Sequence, residues 1–147
     1  MKRLFIIAVL SFFSSYAFAT SPVGIWKTID DVTQEPKSWV EIKEGPNHLL
    51  YGKVIKLFKD PERRCHACEG KEHNQPILGL VVMTHFKQNP DKANEWHGGE
   101  ILDPKNGKRY HCTITVLADG KELKVRGYIG LPLFGRSQTW IRVENQE

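Results

Sequence analysis

The side chains with most chemical capacity crowd one short segment, Cys65-His66-Ala67-Cys68, with His73 five residues on. Two thiols and two imidazoles this close admit three chemistries. Thiolates and imidazoles ligate zinc, so Cys65, Cys68, His66 and His73 form a candidate metal set, although a structural zinc usually draws its second ligand pair from farther along the chain. His111 and Cys112 could supply that pair, but neighbours on a strand point to opposite faces. A Cys-x-x-Cys pair is also a redox motif, here without the βαβ context of a thioredoxin-type centre. The third chemistry is a disulfide that pins a loop in an oxidising compartment, and the sequence favours it. A covalent haem is disfavoured, because Glu69 stands where the attachment motif requires His.

The remaining cysteine, Cys112, lies in Tyr110-His111-Cys112-Thr113-Ile114. It shares the expected inward face with Tyr110 and Ile114, which suits a small buried residue better than a nucleophile. Asp30-Asp31 could meet a cation, but paired acids after a strand are commonly turn residues. Arg126 and Arg136 flank a glycine-bounded apolar stretch, Gly130-Leu131-Pro132-Leu133-Phe134-Gly135, and could serve an anionic group. That stretch is expected to fold inward and plug one end of the domain, the alternative being an apolar patch for a partner. Ser, His and Asp occur without a nucleophile-elbow motif, so nothing specific indicates hydrolysis. The sequence favours a protein that is not an enzyme, and no cofactor is implied.

The elements that position these residues begin after a distinct N-terminal segment. Lys2 and Arg3, the apolar run Leu4 to Leu10, and Ala17-Phe18-Ala19 read as a secretory signal peptide over residues 1–19. The domain then spans 20–147, and the protein is periplasmic or secreted. Loss of Lys2 and Arg3 lowers the net charge from +4 to +2. The remaining cations are interleaved with acids, which sets nucleic acid aside as a partner. No later run approaches the roughly 18 apolar residues of a membrane helix, so no transmembrane helix follows the signal.

Ala occurs only at Ala67, Ala93 and Ala118 after the signal, while β-branched and aromatic residues are plentiful. Alternation and turn signals predict eight strands, near Gly24–Asp30, Ser38–Glu44, His48–Phe58, Leu78–Phe86, Glu95–Leu102, Arg109–Leu117, Glu122–Ile129 and Gln138–Val143. Tight connections are expected at Gly45-Pro46-Asn47, Pro104 to Gly107 and Asp119-Gly120. Asp60-Pro61-Glu62 reads as the start of one short helix. Gly98-Gly99 inside a strand marks a bulge, a corner or a close approach, with a corner favoured. The fold class is therefore all-β: a single eight-stranded antiparallel up-and-down barrel.

Gly24-x-Trp26, Asp30-Asp31, Cys65-x-x-Cys68, Trp96-x-Gly98-Gly99, Asp103-Pro104-x-x-Gly107-Lys108-x-Tyr110 and the run from Arg126-Gly127-Tyr128-Ile129-Gly130 to Trp140-x-Arg142 resemble the bacterial secreted domain-of-unknown-function family 2147. The resemblance covers nearly the whole domain. It implies a lipocalin-like barrel exported to the periplasm, in which Trp26 and Arg142 close the floor, and it brings no settled activity. The leading expectation is a barrel that binds a small apolar or amphipathic, lipid-like ligand. Its lining would be Val40, Ile42, Val82, Tyr110, Ile114 and Val125. Two alternatives stand beside it: a filled barrel that acts as an interaction module through rim residues Arg126, Tyr128, Leu133, Phe134 and Arg136, or a metal or redox protein using the Cys65–Cys68 loop. The sequence names no protein partner.

Overall fold

The computed structural model describes residues 21–144; the proposed signal peptide and its cleavage before Thr20 lie outside them. Eight strands follow one another around a closed antiparallel barrel: β1 Gly24–Ile29, β2 Pro36–Glu44, β3 Leu50–Leu57, β4 Val81–Gln88, β5 Glu95–Asp103, β6 Lys108–Leu117, β7 Glu122–Tyr128 and β8 Arg136–Arg142. Each strand pairs with its chain neighbour, and β8 closes onto β1 through Trp26 opposite Arg142 and Lys27 opposite Ile141. Closure leaves no long unpaired edge, which is the usual remedy for an all-antiparallel sheet.

Side chains alternate inward and outward along each strand. Trp26 and Thr28 of β1, Val40 and Ile42 of β2, Cys112, Ile114 and Val116 of β6, and Leu123 and Val125 of β7 are buried. Around Trp26, one end of the barrel is solid, with Ile42, Leu50, Phe86, Ile114 and Leu123 each almost fully buried. Strand β5 passes through this packing by a bulge between Trp96 and Gly99. Gly98 takes a positive φ of 70° there, and a Cβ on Gly99 would stand 2.5 Å from the Phe86 ring. The double glycine is thus a bulge that admits an aromatic ring, a tighter requirement than a simple corner.

The hairpin turns after β2, β5 and β6 lie where the sequence places them. The helix expected at Asp60-Pro61 does not form. Asp60 has φ 47°, outside the helical region, and Asp60 to Arg63 is a single turn closed by one backbone hydrogen bond of 3.1 Å. A 3-10 turn forms instead at Gly70–Glu72. Strand β4 starts three residues later than expected, because Ile77 to Leu80 makes a turn whose Gly79 N–H donates to Val54 and whose Leu80 carbonyl accepts from Val54. Among the described residues, no helix is long and apolar enough to cross a membrane.

Candidate functional site

Opposite the solid end, the barrel is hollow. The loops β1–β2, β3–β4, β5–β6 and β7–β8 surround a mouth that leads into a cup of about 690 Å³. Its inner wall is apolar: Val40, Val54, Val82, Ile101, Val125 and Trp140 all line it. Polar groups on the wall are largely paired with one another. The Thr28 and Ser38 hydroxyls lie 2.8 Å apart, the Trp140 Nε1–H donates to Gln138 Oε1 at 3.2 Å, and Asn106 donates to the Tyr110 hydroxyl at 2.9 Å. Pairing of this kind removes the cost of lining a cavity with polar atoms.

The rim is charged. Lys37, Lys59, Arg63, Lys105 and Arg136 line it, with Asp30, Glu35 and Asp103 between them. Lys59 donates to Glu35 at 2.5 Å, Lys37 stands 4.0 Å from Asp30, and Arg136 donates to Asp31. Among the described residues, Arg63 and Lys105 have no carboxylate within salt-bridge distance. Asp30 shapes the β1–β2 loop, because its Oδ1 accepts the Val32 and Thr33 N–H groups at 2.9 Å each. These bonds, first that from Thr33, hold the Asp30 carboxyl below its usual range, with help from Lys37. Asp31 also accepts from Gln138 at 3.0 Å, so this acidic pair organises a turn and ties β1 to β8.

The six residues expected to line a ligand site divide by depth. Val40, Val82, Tyr110 and Val125 line the cup. Ile42 and Ile114 face inward too, but they belong to the solid end and are 1% and 0% exposed. Alternation assigns a face and carries no information about depth, so these two were placed on the correct side at the wrong level. Cup residues the sequence left unnamed include Val54, Ile101, Gln138 and Trp140. The alternation Arg136, Gln138, Trp140, Arg142 along β8 is the signal that would have found the last two.

Trp26 and Arg142 meet at the solid end, the guanidinium carbon 4.2 Å from the ring centroid. The Trp26 indole donates to Pro22 O at 2.7 Å. Of the rim residues, Arg126 donates from Nη2 to Pro132 O at 2.6 Å, Tyr128 packs its ring 5.6 Å from that of His111, and Arg136 reaches across to Asp31. Leu133 and Phe134, in the 3-10 turn Pro132–Phe134, are 80% and 74% exposed. The inward plug expected of this loop is therefore absent. Arg126 holds the Pro132 carbonyl from the barrel side, and the Gly127 carbonyl presses so close to Gly135 that a Cβ there would meet it at 2.8 Å. Both contacts hold the turn at the rim, where Ile129 and Phe134 border the mouth without filling it.

Cys65 and Cys68 are bonded to each other, and both are buried. Bonded sulfurs are not thiolates, so the set Cys65, Cys68, His66 and His73 cannot hold a metal in this state. His66 is exposed, and the His73 Nδ1 is engaged with Cys68 O at 2.9 Å. The loop instead clamps the β5–β6 hairpin from outside: a Cβ on Gly107, at φ +72°, would stand 1.9 Å from Ala67 O. A buried disulfide is also poorly placed for exchange, which needs an attacking thiolate to reach a sulfur. Cys112 is free and buried, and burial pushes its thiol up to about 12.

Comparison with known proteins agrees with this architecture. The family model described as an uncharacterized protein conserved in bacteria (DUF2147) matches residues 24–142. A solved structure of HP1028 from Helicobacter pylori, a protein described as belonging to the lipocalin family, superposes with a TM-score of 0.74. It covers 86% of this chain and 85% of its own at 20% identity, which establishes a shared fold. No curated protein matches this sequence significantly.

Proposed function

The chain belongs to the bacterial family DUF2147, and from that premise we propose that it is an exported barrel holding one small amphipathic, lipid-like ligand in its open half. The observation that carries this reading is the division of the interior. One half is packed to exclusion around Trp26, and the other keeps a cup of about 690 Å³ with an apolar wall and a charged rim. Apolar pockets with a few placed polar groups, within this size range, are the usual form of small-ligand sites. The HP1028 relative, described as belonging to the lipocalin family, supports the reading by analogy of fold.

The apolar part of such a ligand lies against Val40, Val82 and Val125, and its polar end reaches the rim. Release into an oxidising compartment accounts for a disulfide at Cys65–Cys68 as a loop staple. The test is native mass spectrometry of the protein recovered from the periplasm of its producing cell. A single retained amphiphile, absent when Val125→Trp fills the cup, supports the reading. A protein that is never exported, or a cup that neither retains nor takes up any amphiphile, overturns it.

A further inference from the structure

Five large apolar residues among the described ones are more than half exposed: Val32, Ile129, Leu131, Leu133 and Phe134. All five stand in loops at the mouth end, and four of them share the β7–β8 connection. Exposure of this kind is costly when grouped, because apolar surface is left in water with nothing to cover it. The turn is fixed at the rim by the Arg126 bond to Pro132 O, with Leu131 and Leu133 in solvent and Phe134 at the edge of the mouth. Cations without a carboxylate partner stand near it: among the described residues Arg126, Arg63 and Lys105 at the mouth end make no salt bridge, whereas Arg136 is paired with Asp31. From Leu123 to Val143 the chain contains no Asp or Glu, and Arg126 and Arg136 flank the tip on the two strands that carry it.

We propose that the β7–β8 tip is a membrane-docking device that inserts Leu131, Leu133 and Phe134 into the interfacial zone of an anionic bilayer, with Arg126 and the mouth cations Arg63 and Lys105 facing the lipid phosphates. Charge complementarity selects this occupant. An anionic surface attracts cations next to an apolar wedge, and each Lys or Arg near it strengthens binding. Apolar side chains at such a tip bury into the headgroup boundary while arginines snorkel to the phosphates. A protein partner fits less well. A standard interface draws about 800 Å² from each side, more than four side chains of this size present. The closed barrel, moreover, offers no long strand edge to pair with.

The test places an environment-sensitive dye at the tip through Leu133→Cys. This position is 80% exposed, so the substitution spares the fold, and Cys112 is too buried to compete for the label. Because the dye reports its own surroundings, any contribution of the N-terminal segment to vesicle binding is kept separate. With vesicles of phosphatidylethanolamine and phosphatidylglycerol, the dye emission should shift to the blue and become shielded from aqueous quenchers. Arg126→Gln should weaken this partition roughly fivefold, and phosphatidylcholine vesicles or high salt should weaken it further. In the unlabelled protein, Leu131→Ser with Phe134→Ser should lower vesicle binding at least about tenfold. An unshifted dye on folded protein overturns the proposal, as does vesicle binding without a response at the tip. A shift produced only by a protein partner overturns it in favour of a protein interface.

Discussion

The Arg142 guanidinium lies 4.2 Å from the centroid of the Trp26 ring and donates at the same time to Gly120 O, Val23 O and Ser21 O. One side chain thereby covers the barrel floor, ties the strand entering β1 to the β6–β7 turn, and satisfies three carbonyls. Burial draws its pKa below the usual arginine value, partly offset by Glu144, and the group stays charged at neutral pH.

Truncating the floor should be costly. Trp26→Ala removes a fully buried aromatic and should lower stability by about 3–5 kcal/mol. Arg142→Lys keeps the charge but brings all its donors to one nitrogen, and it should cost about 2 kcal/mol. Chemical denaturation with an unchanged m-value measures both. A Trp26→Ala protein that melts like the wild type would contradict the role of the floor.

The rim tip should behave in the opposite way. Phe134→Ala acts on a side chain that is already in water, so its effect on stability should stay within about 0.5 kcal/mol. Gly99→Ala, although a far smaller change, should cost about 1–3 kcal/mol by forcing a methyl onto the Phe86 ring. Melting curves of the two variants should therefore rank in reverse of the size of the substitution.

The loop staple contributes modestly. Cys65→Ala with Cys68→Ala opens a very short ring, and the loss should be about 1–2 kcal/mol with the barrel still folded. In the wild type, Cys112 should resist alkylation until denaturant opens the barrel, because its thiol is buried and pushed up to about 12. Peptide mapping under native and denaturing conditions reads both statements.

The mouth has its own acid limit. Asp30 titrates below its usual value in the folded state, so its contribution to holding the β1–β2 loop is complete above the unfolded value near 3.8. The contribution is lost as pH falls through the lower folded value. The Val32 and Thr33 amide shifts should stay constant from neutral pH to about 5 and move together only below 3.8; Asp30→Asn should abolish the transition. A midpoint above 3.8 would mean that these bonds do not stabilise the carboxylate.

Much of this architecture was legible from residue order. The alternation through Trp26, Val40, Ile42, Cys112, Ile114 and Val125 gave the inward face correctly, and Gly and Asn at the turns gave the meander. Depth was not legible, because the register slips between Trp39 and Val40, between Leu50 and Lys53, and between Trp96 and Gly99. Each slip moves a neighbouring strand along the axis, so the level of Ile42 or Ile114 depends on several strands together. The fate of the Leu131–Phe134 tip was hidden for a related reason. Its apolar composition asks for cover, but its direction is set by the contacts of Arg126 and Gly135, which sequence order does not rank. The Asp60-Pro61 helix signal failed because Asp60 takes a positive φ of 47° and the segment closes as a single turn at Arg63.

Titration with a fluorescent fatty-acid probe shows whether the open half of the barrel is a ligand cup. The wild type should bind the probe saturably and one to one. Val125→Trp should weaken it at least about tenfold without loss of melting temperature, because the added ring fills empty space. Ile114→Val, which trims the solid end, should bind the probe normally while losing about 0.5–1.5 kcal/mol of stability. A wild-type protein that takes up no probe, or a Val125→Trp protein that binds it as tightly as the wild type, would mean that the open half is not a ligand cup.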